Sequence, residues 1–266
     1  MTRLAGAGLT KKLLGRLEKQ EIAILNLREW PVFAGLPQRP PLSNWRTWLL
    51  LGGRGAGKTR AGAEWIKAIV GRDRHFVGDA AGRVAIIGET YADARAVMIE
   101  GESGLLKLYP RSERPSWNPS RRQLAWPDGT IGQVYSASDP EGLRGSQFGV
   151  AWLDELAKWR YLEETWDMMQ FCLRLGNAPR LMATTTPKPL PLLKRILADP
   201  ATAVTRSGTK DNVANLAPGF LEYLTSRYGG TRLGRQELEG EIIEDSEDSL
   251  WQPIHISGIR TIAGSR

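Results

Sequence analysis

Eight consecutive residues, Gly52-Gly53-Arg54-Gly55-Ala56-Gly57-Lys58-Thr59, fit the spacing G-x-x-x-x-G-K-S/T, and each residue type in it answers a need of one ligand, a chain of phosphates. A loop that wraps a triphosphate must bring backbone N–H groups up to anionic oxygens, so Gly52, Gly53, Gly55 and Gly57 keep side chains out of the way. Lys58 supplies a mobile cation for the β- and γ-phosphates. Thr59 offers a hydroxyl to Mg²⁺ at the first turn of a helix whose positive end faces the anion. The ligand expected of this loop is a nucleoside triphosphate with Mg²⁺.

A second chemical stretch is Val150-Ala151-Trp152-Leu153-Asp154-Glu155. Four apolar residues that run into two carboxylates describe a central strand whose tip reaches a metal-nucleotide site, because acids are costly to bury along the strand itself. Asp154 is then the candidate contact to Mg²⁺. Glu155 is the candidate general base that orients and activates the attacking water. A third stretch, Arg180 to Thr185 followed by Thr186-Pro187, ends in hydroxyls. Thr184, Thr185 and Thr186 at a strand tip are placed to sense the γ-phosphate and pass the change onward.

These groups need rigid supports, and the sequence supplies them. Trp45 to Leu51 ends in a short apolar run, as a strand buried in a parallel sheet requires. After the loop, Ala61, Trp65, Ala68 and Ile69 recur at helical spacing, with Arg60, Glu64 and Lys67 on other faces. Arg83 to Gly88 reads as a second buried strand and Tyr91 to Ile99 as a helix, which gives the βαβα alternation of a doubly wound sheet. Arg121 to Trp126 and Thr130 to Ala137 flank Pro127-Asp128-Gly129 and predict a hairpin. Upstream, Leu9 to Trp30 has a helical pattern, and the proline-rich stretch Pro31 to Pro41 predicts an extended connector.

Among 266 residues the net charge is +7, which biases the surface toward polyanions and makes nucleic acid the first candidate partner. One cysteine, Cys172, excludes an internal disulfide, and with two histidines it cannot build a zinc site of the usual kind. No apolar run approaches the length of a membrane span and Met1 to Gln20 lacks the core of a signal peptide, so a cytosolic protein is expected.

Five segments together resemble the large terminase subunit of tailed phages and of phage-like gene transfer agents. They are the stretch from Gly52 to Trp65, Glu-Gly-Leu-Arg-Gly at 141 to 145, Trp-Leu-Asp-Glu-Leu-Ala-Lys-Trp at 152 to 159, Thr-Thr-Thr-Pro at 184 to 187 and the stretch from Arg227 to Leu238. The resemblance spans roughly residues 30 to 251. It implies an α/β fold, a P-loop NTPase of the additional-strand, conserved-glutamate type, with a mostly parallel central sheet flanked by helices and a small C-terminal lid. The implied division is an N-terminal arm and connector (1–41), an ATPase core (42–207), a lid (208–251) and a tail (252–266) toward a nuclease domain. No acidic cluster of the nuclease kind follows Trp251, and the acids from Glu237 to Asp248 read as a solvated lid helix and linker.

The resemblance also implies an ATP-hydrolysing motor that moves double-stranded DNA into a capsid in the bacterial cytoplasm. Its implied partners are a portal protein, a small terminase subunit and further copies of itself in a ring, the isolated chain being a monomer. Arg54 and Arg144 are the implied arginines of the reaction. The sequence leaves open whether Arg144 serves its own site or a neighbour's. Gln38 resembles an adenine-reading glutamine. A nucleotide switch or structural scaffold that does not translocate, in which the nucleotide only stabilises an assembly, and a helicase-like ATPase are the alternatives, although the chain lacks the second motor domain of most such helicases.

Overall fold

In the computed structural model, which describes residues 30–71 and 82–243, the run before the phosphate loop forms β1 (Thr47–Gly52), buried along its whole length. It is flanked on both sides by parallel neighbours. The sheet has eight strands in the order β3-β4-β5-β2-β6-β7-β1-β8. The others are β2 (Arg83–Gly88), β3 (Ser116–Asn118), β4 (Gln123–Ala125), β5 (Ile131–Ser136), β6 (Val150–Leu153), β7 (Arg180–Thr185) and β8 (Thr202–Ser207). β5, β2, β6, β7, β1 and β8 pair in parallel, while β3 and β4 add an antiparallel edge. β7 therefore lies between the phosphate-loop strand and the Asp-Glu strand, the additional-strand arrangement.

Alternation along the central strands feeds two cores. Trp48 and Leu50 face the helix α1 (Lys58–Val70), where they join Trp65, Ile66, Ile86 and Trp152. Leu49 and Leu51 face the other layer, with Leu153, Leu181 and residues of α2 (Leu162–Cys172) and α3 (Pro191–Ala198). Each such fully buried Leu or Ile stabilises the fold by roughly 1.5–3 kcal/mol relative to exposure. Register then sets the site. Leu49 aligns with Ala183, Ala183 with Leu153 and Leu153 with Ile87, so β6 ends two residues short of β7 and three short of β1, and its acids follow beside the last residues of those strands.

The segment 208–243 continues from β8 through a 3₁₀ segment (Thr209–Asn215), α4 (Phe220–Tyr228) and a π-helical segment (Arg235–Glu239) that returns to the phosphate loop. Two readings need adjusting, and a third, which placed Glu64 only off the apolar face of its helix, is filled in. The stretch from Pro31 to Pro41 contains two helical turns, Trp30–Phe33 and Leu36–Gln38, because Pro31 and Pro37 fall in first-turn positions whose N–H has no helical partner in any case. Glu64 on α1 does not face solvent. It is buried, with Arg60 donating to its Oε1 and Lys67 3.7 Å from its Oε2, and desolvation raises its pKa above the usual carboxylate range. Glu237 is likewise more than a solvated lid residue, as its carbonyl contacts the loop. The Leu9 to Trp30 pattern and the acids from Glu244 onward lie outside the described residues, apart from Trp30.

Candidate functional site

Gly57 has φ 77°, and a Cβ there would stand 2.3 Å from Gln38 Nε2, so only glycine fits both the backbone and the space. From this left-handed residue α1 starts at Lys58, leaving the amides of its first turn without acceptors inside the helix. Lys58 Nζ donates to the carbonyls of Gly52 (3.1 Å) and Gly53 (3.0 Å) and to Thr186 Oγ1 (3.3 Å). It also lies 3.3 Å from Glu155 Oε1. The loop, the tip of β7 and the end of β6 thus meet at one ammonium group.

Asp154 and Glu155 leave β6 in different directions. Glu155 adopts φ 55°, a left-handed conformation uncommon outside glycine, and this turns its side chain toward Lys58 while Asp154 faces Thr59. Thr59 Oγ1 donates to Asp154 Oδ2 at 3.0 Å. Thr184 Oγ1 donates to the other oxygen of Asp154 and accepts the Glu155 N–H at 3.3 Å, so one hydroxyl fixes both acids. Burial pushes the Asp154 carboxyl up to about 6. The Glu155 charge adds to the rise, while the bonds from Thr184 and Thr59 and the charge of Lys58 oppose it. Thr185 acts one step away, accepting the Ala157 N–H (3.0 Å) and holding the turn after the acids.

Two openings border these groups. A cavity of about 390 Å³ is lined by the loop from Gly55 to Arg60, by Trp30, Gln38 and Ser103, by Asn212, Asn215 and Leu216, and by Glu155. That volume falls within the range of ligand pockets. A smaller one, about 190 Å³, lies beyond Thr59, Asp154 and Glu155 and adds Glu89, Asp93 and Lys158. An oxygen donor set of one hydroxyl and one buried carboxylate suits a hard dication such as Mg²⁺. Thr59 and Asp154 fit that ion, and the buried acid would gain the opposite charge it lacks at close range.

Of the other predicted residues, Gln38 is buried beside the loop, where its Nε2 donates to Ala56 O (2.9 Å) and its Oε1 accepts the Gly35 N–H (2.9 Å). Arg54 and Arg144 lie apart from the cavity. The guanidinium of Arg54 is exposed and 3.8 Å from Glu237. Arg144 is exposed and paired with Glu141 at 2.6 and 2.9 Å. Residues that sequence reasoning missed come from the 208–243 segment. Thr209 Oγ1 donates to Arg54 O, Asn212 Nδ2 to Gly55 O, and the Arg54 N–H to Glu237 O. Hydroxyls and amides in a polar loop carry no spacing signal, and a carbonyl contact carries no residue identity at all.

Comparison with curated protein sequences finds no match. Among solved structures, the large terminase ATPase domain of Thermus phage P74-26 is 17% identical, with a TM-score of 0.55 over 76% of this chain and 90% of that one. The large terminase from a second, thermophilic bacteriophage is 15% identical, with a TM-score of 0.60 over 82% of this chain and 52% of that one. The same thermophilic phage protein in complex with ATP-gamma-S gives 14% identity and a TM-score of 0.57, over 82% of this chain and 51% of that one. This chain thus matches about half the length of that second terminase. At such identities the likeness is one of fold. Sequence supplies the rest, since the model for the N-terminal part of the T4likevirus-type terminase large subunit matches residues 49–257. A match over most of the chain, joined to the same fold, means that this protein belongs to the large terminase family, as its N-terminal domain.

Proposed function

We propose that this domain hydrolyses ATP and that the hydrolysis drives double-stranded DNA through a portal into a capsid. The family is that of the DNA-packaging terminases. The single observation that carries the hydrolytic reading is the meeting of Lys58, Thr59, Asp154 and Glu155 at one edge of the sheet, with Glu155 held apart from the Thr59–Asp154 pair. Thr59 and Asp154 are the residues that would hold Mg²⁺, which when bound offsets phosphate charge. Glu155 takes a proton from the attacking water. Lys58 and the first-turn amides of α1 hold the phosphates and offset the charge that develops. Thr184 keeps the two acids in their separate roles, and Thr186, bonded to Lys58, is placed to register the γ-phosphate. Gln38 retains one amide hydrogen and lone-pair capacity toward the cavity for an adenine edge.

Within this reading residues 1–41 form an arm, 42–207 the core, 208–251 the lid and 252–266 the tail. The domain works in the host cytoplasm, docked on a portal with a small terminase subunit and further copies of itself in a ring. The described residues include no helix long and apolar enough to cross a membrane. DNA contact is to phosphates, so it weakens as salt rises. Arg54 acts within its own subunit by exchanging Glu237 for phosphate. Arg144 acts on a neighbour's site, reaching it by the opening lined with Glu89 and Asp93, whose charge suits an arginine.

The test is Glu155→Gln. It should bind ATP and Mg²⁺ as the parent does and lose turnover by about 10²-fold or more, the usual contribution of a general base. A variant that fails to bind ATP would exchange the roles of Glu155 and Asp154, and one that hydrolyses normally would remove the base assignment. Mixing this variant with Arg144→Ala under assembling conditions should restore partial activity, because a mixed interface pairs the intact arginine with the intact base. Confirmed co-assembly without recovery would place Arg144 outside the neighbour's site.

A further inference from the structure

Three successive carbonyl oxygens of the phosphate loop are bonded from outside it. Arg54 O accepts from Thr209 Oγ1 at 2.7 Å, Gly55 O from Asn212 Nδ2 at 2.7 Å, and Ala56 O from Gln38 Nε2 at 2.9 Å. A planar trans peptide points its C=O and the next N–H in opposite directions. Holding these oxygens outward therefore turns the amides of Gly55 and Gly57 to the opposite side, while the Ala56 N–H closes a turn on Gly53 O at 3.3 Å. Glycines leave a loop free to flip such peptides, so the orientation must be imposed by something else. Two of the three donors belong to the 3₁₀ segment Thr209–Asn215, which is outside the loop and its strand.

The geometry points to Thr209 and Asn212 as positioning residues: Thr209, by holding the Arg54 carbonyl outward, sets the Gly55 amide inward to receive phosphate, and Asn212, by holding the Gly55 carbonyl, fixes the turn that the Ala56 N–H closes on Gly53 O and with it the shape of the loop. This rests on the reading of the loop as a phosphate site. Thr209 is fully buried, so its hydroxyl has no water to bond in place of Arg54 O. Asn212 is half-buried and its free oxygen is occupied by Asn215 Nδ2 at 2.8 Å, which fixes which atom faces Gly55. The segment that forms one wall of the cavity is thereby part of the phosphate grip, before any contact with a nucleoside.

The competing account is that Asn212, which lines the cavity, touches only the nucleoside. Inorganic tripolyphosphate separates the two because it has no base or ribose. Calorimetric titration of the full chain with ATP and with tripolyphosphate, both with Mg²⁺, should show Thr209→Val and Asn212→Ala weakening both ligands by the same factor. That factor is about three- to tenfold for one lost hydrogen bond. Thr209→Ser keeps the donor and should stay within about twofold of the parent. Because Asn212 is half-buried, its variant tests the idea even if Thr209→Val folds poorly. A loss confined to ATP would make Asn212 a nucleoside contact, and unchanged affinity for both ligands would make the bonds incidental. Either result overturns the inference. A parent chain that binds neither ligand would remove the phosphate-site reading itself, and this inference with it.

Discussion

On one side of the phosphate loop stand the tips of β6 and β7, and on the other the segment 208–243, and the two hold it by different means. The strand tips present Asp154, Thr184 and Thr185, all buried and anchored between two apolar layers. The opposite side presents Thr209, Asn212 and the Glu237 carbonyl, from elements with few buried residues. The first arrangement cannot shift without disturbing the sheet. The second has little buried apolar surface, chiefly Leu216 against the loop and Ile242 against the core, and is the side expected to open first, since local opening of this kind lies at the low end of the free-energy range. The proposed ATP-driven cycle calls for both: a fixed place for chemistry and a movable reporter of it.

The largest effect expected from breaking this contrast is at Lys58, whose side chain joins the loop to both strand tips. Lys58→Ala should abolish turnover and weaken ATP binding, measured by hydrolysis and titration, while the thermal transition remains cooperative. Normal hydrolysis in this variant would mean that the site lies elsewhere.

Glycines on the two sides give the next comparison. A Cβ on Gly62 would stand 2.1 Å from Nε1 of the buried Trp152, so Gly62→Ala overpacks the core and should destabilise by about 1–3 kcal/mol in denaturant melts. A Cβ on Gly53 would stand 2.7 Å from the carbonyls of Glu237 and Leu238, backbone that belongs to the detachable side. Gly53→Ala should therefore lower global stability by less, about 1 kcal/mol or below, and raise amide exchange across 235–240 first. Equal losses, with no local change in exchange, would mean that both sides are one cooperative unit.

The same contrast explains what the sequence made legible. β1, β2, β6 and β7 were readable because a strand buried on both faces must be a continuous apolar run, and the acids of β6 stood out because they end one. β8, Thr202–Ser207, pairs only with β1, is mostly half-buried and has mixed polarity, so no pattern marked it. The π-helical return at Arg235–Glu239 bonds the loop's Arg54 N–H through a carbonyl, which any residue could supply. Arg54 and Arg144 were legible as arginines near glycines, yet their present partners, Glu237 and Glu141, were not.

The smallest effect concerns charge. In the folded chain burial lifts the Asp154 carboxyl to about 6, from a usual value of 3.8. With metal removed by a chelator, the folded protein thus keeps a proton at Asp154 that the unfolded chain has already released across that interval. Where the folded state binds more protons, stability falls as pH rises. The Asp154 contribution is therefore unfavourable at pH 7, growing in between about pH 4 and pH 6, opposite to the behaviour of a carboxylate whose pKa is depressed. Asp154→Asn keeps an acceptor for Thr184 and removes the ionisation. It should melt higher than the parent at pH 7 in chelator, by about 1–3 kcal/mol, and match it near pH 4. Asn212→Ala, on the detachable side, should shift stability slightly and by the same amount at both pH values. If the Asp154→Asn advantage were equally large at pH 4, relief of a buried charge could not be its source, and the strand-tip side would owe its sensitivity to packing alone.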